Sequence, residues 1–303
     1  NTLTYGGNAV DPEKTAQWQP PVPDDRRFPR PERVTEAERE GVRKLLGPEE
    51  GQGIGAEEVD ELCARVEALG IVRDAHGIRG PGIDAHYQFY ASAEEQAEKG
   101  GGYWSDEHGP GWMGMQDPGA MTALGRQVAG AYRVSNDADQ RSRLADAFLL
   151  IADHLLDQVL QAGSGFKWNW WVGGGWADAV FLMRETLAES GRLRSHLDFQ
   201  LYTYDGGAMF AEGDAPSHMD FYHLTVPRML RQCLTQVEEA EQVRWLYGFK
   251  SMLERSMLQP SSSFKIDGCA YHHNGHYLAY AKNAFGTLPP LLQELDGTPW
   301  RLS

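Results

Sequence analysis

Leu144, Phe148, Ile151, Leu155 and Val159 recur at steps of four, three, four and four. That spacing draws one apolar face along a long helix, and such a face is buried only against other apolar surfaces. Gly163 and Gly165 close the stretch. Further helical patterns cover 175–190, 217–237, 238–258 and 275–297, with short Gly, Pro or Ser breaks between neighbours. Upstream, Thr35 and Glu38 form a Thr-x-x-Glu capping box for a helix ending near Gly47. A second helix runs from Ala56 to about Leu69 and stops at Gly70. No period-two alternation is long enough to define a sheet. The fold class is therefore read as mainly α, built of antiparallel helical hairpins.

Composition narrows the reading further. The 303 residues are 41% hydrophobic and 11% aromatic, enough to bury one or two cores and to exclude disorder. Lys and Arg number 28 against 43 Asp and Glu, a formal net charge of −15. Duplex nucleic acid, whose binders carry a basic face, is thus not an expected partner. No run approaches the ~18 apolar residues of a membrane span, so no membrane partner is expected. Cys63, Cys233 and Cys269 lie far apart with no CxxC pair, which supports neither a disulfide scaffold nor a cysteine zinc site. Residues 1–34, with Pro20, Pro21, Pro23, Pro29 and Pro31 amid charge, read as a Pro-rich linker to a domain spanning 35–303. Residues 71–118, rich in Gly and aromatics, read as a long surface or cleft loop. The opening Asn-Thr-Leu-Thr-Tyr-Gly-Gly carries no leader and reads as part of a larger polypeptide.

Two segments carry chemistry. In the first, Phe166 to Trp176, four of the nine tryptophans fall within nine residues, beside three consecutive glycines, Gly173, Gly174 and Gly175. Three glycines in a row are unfavourable in a core helix, at about 1 kcal/mol each relative to Ala. The tryptophans make either a flat platform on which sugar rings stack or a corner of aromatic core. The second runs from Asp267 to Tyr280 and gathers His272, His273 and His276 with Tyr271, Tyr277 and Tyr280. Asn274 can cap a helix starting at Gly275. Tyr280 would then lean back toward His273, and exposed amides at the helix start would favour a carboxylate. Three readings stand for this cluster: a metal pair at His272 and His276, ordinary structural histidines, or a His/Tyr acid–base pair.

At these residues the sequence resembles polysaccharide lyase family 8, above all its chondroitinase ABC branch. Asp267-Gly268-x-Ala270-x-x-His273-x-Gly275-x-Tyr277-x-x-Tyr280 is similar to the catalytic signature of that branch. His154-Leu155-Leu156-Asp157-Gln158 and, more weakly, Met219-Asp220-Phe221-Tyr222 match in order and spacing. Asn169-Trp170-Trp171 instead resembles the Asn-Trp-Trp of the chondroitin AC and hyaluronate lyases. Where the ABC branch has an Arg before its His, this chain has His272. The similarity runs from roughly Ala120 to Leu295.

The resemblance implies an incomplete α/α toroid, with the β domains of a larger multidomain enzyme elsewhere in the polypeptide. It also implies β-elimination on glycosaminoglycans (chondroitin sulfate, dermatan sulfate, hyaluronan) at their uronic acids. By analogy Asn169 would hydrogen-bond the uronate carboxylate, His273 would take the C5 proton, and Tyr280 would protonate the leaving oxygen. Trp170, Trp171 and Trp176 would form the stacking platform, with His272 and Tyr277 also contacting substrate. No cofactor is implied, although a structural divalent cation such as calcium is compatible with the family. The implied location is secreted or periplasmic, in a bacterium. A non-catalytic carbohydrate-binding helical module that keeps the tryptophans without the chemistry is the alternative reading.

Overall fold

The computed structural model describes residues 3–5, 8–10, 25–47, 53–75, 77–80, 118–160, 174–203, 206–259, 262–265, 269–272, 275–276 and 278–303. Its elements, in chain order, are β1 (Leu3–Tyr5), β2 (Asn8–Val10), α1 (Glu36–Leu46), α2 (Ala56–Glu67), β3 (Val72–Asp74) and β4 (Gly77–Arg79). Then come α3 (Pro118–Val134), α4 (Ala138–Leu160), α5 (Gly174–Leu182), α6 (Arg184–Glu189) and α7 (Leu193–Thr203). A 3-10 turn (Gly206–Met209) and a π-helical turn (Phe221–Thr225) lead into α8 (Val226–Thr235) and α9 (Glu239–Leu258). The described chain closes with β5 (Tyr271–His272), β6 (Gly275–His276) and α10 (Leu278–Leu295). The mainly α expectation therefore holds. Strands occur among the described residues only as three two-stranded antiparallel ribbons, β1–β2, β3–β4 and β5–β6.

The chain divides into two compact units, Asn1–Gln19 with Glu50–Leu187, and Pro20–Glu49 with Ala188–Ser303. In the first unit the apolar stripe on α4 does what its spacing predicts. Leu144, Phe148 and Ile151 are fully buried and Leu155 nearly so. α4 packs on α3, where Leu124 and Val128 are buried, and on α2, where Val59, Leu62 and Val66 are buried. Gly125 permits the tightest approach: a Cβ there would stand 2.7 Å from Trp176 Cζ3 on α5. Fully burying side chains of this size stabilises by about 1.5–3 kcal/mol each. The 71–80 segment, expected to be loop, instead forms the β3–β4 ribbon, with Arg73 paired to Asp153 of α4.

In the second unit the capping box forms as read. The Thr35 N–H donates to Glu38 Oε2 at 2.7 Å and the Glu38 N–H to Thr35 Oγ1 at 3.3 Å. The Tyr247 hydroxyl on α9 also donates to Glu38, so the cap ties α1 to the next layer. Trp300 is fully buried against α1, where a Cβ on Gly41 would lie 2.8 Å from its Cζ3.

Residues 25–34, expected to be linker, are packed instead. Phe28 and Val34 are buried, and Phe28 sets its ring edge-on to Phe210, which does the same to Trp245. Arg244 Nε donates to the Phe28 carbonyl at 2.7 Å, while Arg27 donates to the Phe210 and Ala211 carbonyls. The prolines bar helix and sheet without barring burial. A strap of turns and bends that receives Arg244 at the Phe28 carbonyl, and sends Arg27 to the Phe210 and Ala211 carbonyls, satisfies the same polar accounting.

Candidate active site

The site of interest in the second unit is shaped by one residue that donates no backbone hydrogen bond. Pro227 lies at the start of α8, and in a regular α-helix its ring would collide with the carbonyl of His223, four residues earlier. The chain widens instead. Phe221–Thr225 is π-helical, and the Val226 N–H reaches five residues back to the Phe221 carbonyl. Turns of this kind are rare and cluster at functional sites because they re-aim side chains. Its entry is fixed by His218, whose Nδ1 accepts from the Phe221 N–H at 3.1 Å.

His223 is the side chain that this turn presents. Its Nδ1 stands 3.0 Å from the Met219 carbonyl, which can only accept, so the Nδ1 proton points there. Its Nε2 faces Asp220 Oδ1 at 3.8 Å, and both side chains are only 12% exposed. The imidazole ring lies edge-on to the ring of Tyr280, with centroids 6.5 Å apart and planes at 62°. Tyr280 occupies the first turn of α10 and is half-buried. A phenol, an imidazole and a carboxylate are thus gathered where α10 packs on the π-turn. A phenol can donate a hydrogen bond, a carboxylate can accept one, and an imidazole can do either.

An aromatic layer supports this arrangement from below. Tyr222 is fully buried, its ring centroid 4.7 Å from that of Phe264, which in turn lies 5.6 Å from that of Phe285 on α10. The Tyr222 hydroxyl donates to the Ser256 carbonyl at 2.9 Å, and burial pushes its phenol above the ordinary pKa. Tyr222 is thus committed to the packing, whereas Tyr280 is half-buried. Lys265 Nζ donates to the Ser262 carbonyl and sits 5.5 Å from the ring centroid of Tyr271.

The histidine segment differs locally from its sequence reading. Tyr271 pairs with His276 and His272 with Gly275 in an antiparallel ribbon, and the helix begins at Leu278 rather than Gly275. Aromatic residues favour strands, and Gly275 pairs with His272 instead of opening a helix. His272 and His276 consequently do not share a helical face as an i, i+4 metal pair. Among the described residues no group of three or more His, Cys, Asp or Glu is placed to hold a metal ion.

Trp176 requires a second correction. Expected on the stacking platform, it is 1% exposed and stacked on Phe148 at 5.3 Å with planes 16° apart, so it belongs to the core of the first unit. Sugar stacking needs an open ring face, and this one is covered. Asn169, Trp170, Trp171, His273 and Tyr277 lie outside the described residues, as do the side chains of His272 and His276. His223 was missed from sequence. Its signal was present in its place directly after Met219-Asp220-Phe221-Tyr222 and four residues before a proline.

Residues 38–303 match the family described as "Lyase, catalytic", and the chain belongs to that family, polysaccharide lyase family 8. It is 29% identical over 177 residues to a chondroitin sulfate ABC exolyase of Proteus vulgaris, covering 56% of this chain and 18% of the relative. Similarity to the chondroitin sulfate ABC endolyase of Proteus vulgaris is 24% over 198 residues, 60% of this chain and 19% of the relative. A chondroitin sulfate ABC exolyase of Bacteroides thetaiotaomicron is 26% identical over 167 residues, 52% and 16% of the two chains. The matches thus span about a fifth of the length of these relatives.

Proposed function

We propose that the protein containing this chain is a glycosaminoglycan lyase that cleaves chondroitin sulfate, dermatan sulfate or hyaluronan by β-elimination at uronic acids. The observation that carries the reading is Tyr280, half-buried on the first turn of α10 beside His223, at the end of a segment that matches the family's signature. The C5 hydrogen of a uronate is too weakly acidic to leave beside an ionised carboxylate. Asn169 hydrogen-bonds that carboxylate in this scheme and His273 takes the C5 proton. The C5–H electron pair forms the C4–C5 double bond, the C4–O4 bond breaks, and Tyr280 gives its phenolic proton to O4. The Trp170 and Trp171 rings stack on the sugars, with His272 and Tyr277 alongside. Secretion or export to the periplasm fits a polymeric substrate too large to be taken up intact.

The test is product formation from each polymer by the full-length protein, followed by the ultraviolet absorbance of the unsaturated uronate. Tyr280→Phe should lower turnover by about 10²–10⁴-fold, the range of one positioned acid or base. The melting temperature should stay unchanged. Wild-type turnover in Tyr280→Phe would remove Tyr280 from the mechanism. Binding of polymer without product in the wild-type protein would identify a carbohydrate-binding module instead.

A further inference from the structure

We infer that His223 is a positioning residue for Tyr280: the π-turn holds its imidazole edge against the phenol ring and thereby fixes the direction of the hydroxyl. This rests on the reading of Tyr280 as the proton donor. Three observations converge on it. His223 is held at Nδ1 by the Met219 carbonyl at 3.0 Å, and Asp220 Oδ1 lies 3.8 Å from its Nε2, so the ring is oriented by residues of its own element. The clamped ring meets Tyr280 at 62°, the edge-on geometry in which a positive ring rim faces a negative ring face. Finally, the turn that aims it exists because Pro227 cannot join a regular helix, so the aim is written into the backbone.

A tyrosine in the first turn of a helix leans back over the residues that precede it. Its hydroxyl sits at the far end of the ring, so a small rotation about the Cα–Cβ bond displaces the proton by more than an ångström. Misplacement on that scale costs up to about a hundredfold in rate. A flat, immobile neighbour removes the rotation, and no bond from His223 to substrate is required.

The experiment compares His223→Leu, His223→Gln and His223→Phe with Tyr280→Phe in the full-length protein, measuring kcat, KM and melting temperature on chondroitin sulfate. Leucine fills a similar volume without a flat rim, glutamine keeps a donor for the Met219 carbonyl, and phenylalanine restores the rim without the polar bonds. Leucine and glutamine should each lower kcat about tenfold or more with KM within about twofold, and phenylalanine should recover most of the loss. If leucine weakens the fold, the glutamine–phenylalanine pair still decides. Wild-type kcat in His223→Gln, or equal losses in His223→Gln and His223→Phe, would overturn the inference while Tyr280→Phe remains inactive. Full activity in Tyr280→Phe would overturn the underlying assignment instead.

Discussion

Two tyrosines within one layer of the second unit have opposite fates, and their surroundings explain why. Tyr222 is sealed, its hydroxyl held by the Ser256 carbonyl and its ring against Phe264. Tyr280 is half-buried beside an immobilised imidazole. Removing the hydroxyl should therefore be felt in different measurements. Tyr222→Phe should lower stability by about 1–2 kcal/mol in chemical denaturation and leave kcat alone, because the change deletes a buried hydrogen bond. Tyr280→Phe should do the reverse. Burial raises the Tyr222 pKa, so its phenol should stay protonated past the ordinary tyrosine titration, as ultraviolet difference spectroscopy can follow.

At the scale of elements, the start of α1 is the clearest test. Burial pushes the Glu38 carboxyl up, but the Thr35 amide and hydroxyl, the Tyr247 hydroxyl and the Arg39 charge outweigh it and leave the pKa lowered. A carboxyl whose pKa falls on folding adds stability above its unfolded value, near ~4.3, and that stability is lost as pH falls through the lower folded value. Thr35→Ala should cost about 1 kcal/mol at neutral pH. The gap between variant and wild type should narrow in acid, which urea melts at pH 7 and below about pH 4 would show.

This cap and the α4 stripe were legible in the sequence because each is a local pattern whose satisfaction lies within one or two turns. The π-turn was not, since a single proline after His223 reads equally as a helix start. The β5–β6 ribbon was misread because Asn274 reads as a helix cap, whereas the aromatic Tyr271 favours a strand and Gly275 pairs with His272. Trp176 was misplaced for a different reason: burial of an indole depends on what faces it, here Phe148 and the gap left by Gly125, from separate helices. The strap at 25–34 shows the same dependence, its prolines having disguised a buried Phe28.

At the scale of the whole molecule, the second unit is assembled from segments far apart in sequence. Arg39 of α1 reaches Glu239 of α9 across 200 residues, and Trp300 fills the space over Gly41 with its ring edge-on to Tyr247. Trp300→Ala should cost about 3–5 kcal/mol. Hydrogen exchange should show the loss in α1 and α9, the helices that Trp300 joins.

Because residues 20–49 belong with 188–303 while 50–187 belong with 1–19, this polypeptide meets its partners out of order as it leaves the ribosome. The amphipathic α1 emerges first and then waits for α9, at ~5–20 residues per second a delay of roughly 10–40 s. Throughout that interval Val42 and Leu45 have no layer to cover them, while the 50–187 unit can complete itself. Newly made chains should accordingly depend on a holding chaperone for residues 20–49 and not for 50–187.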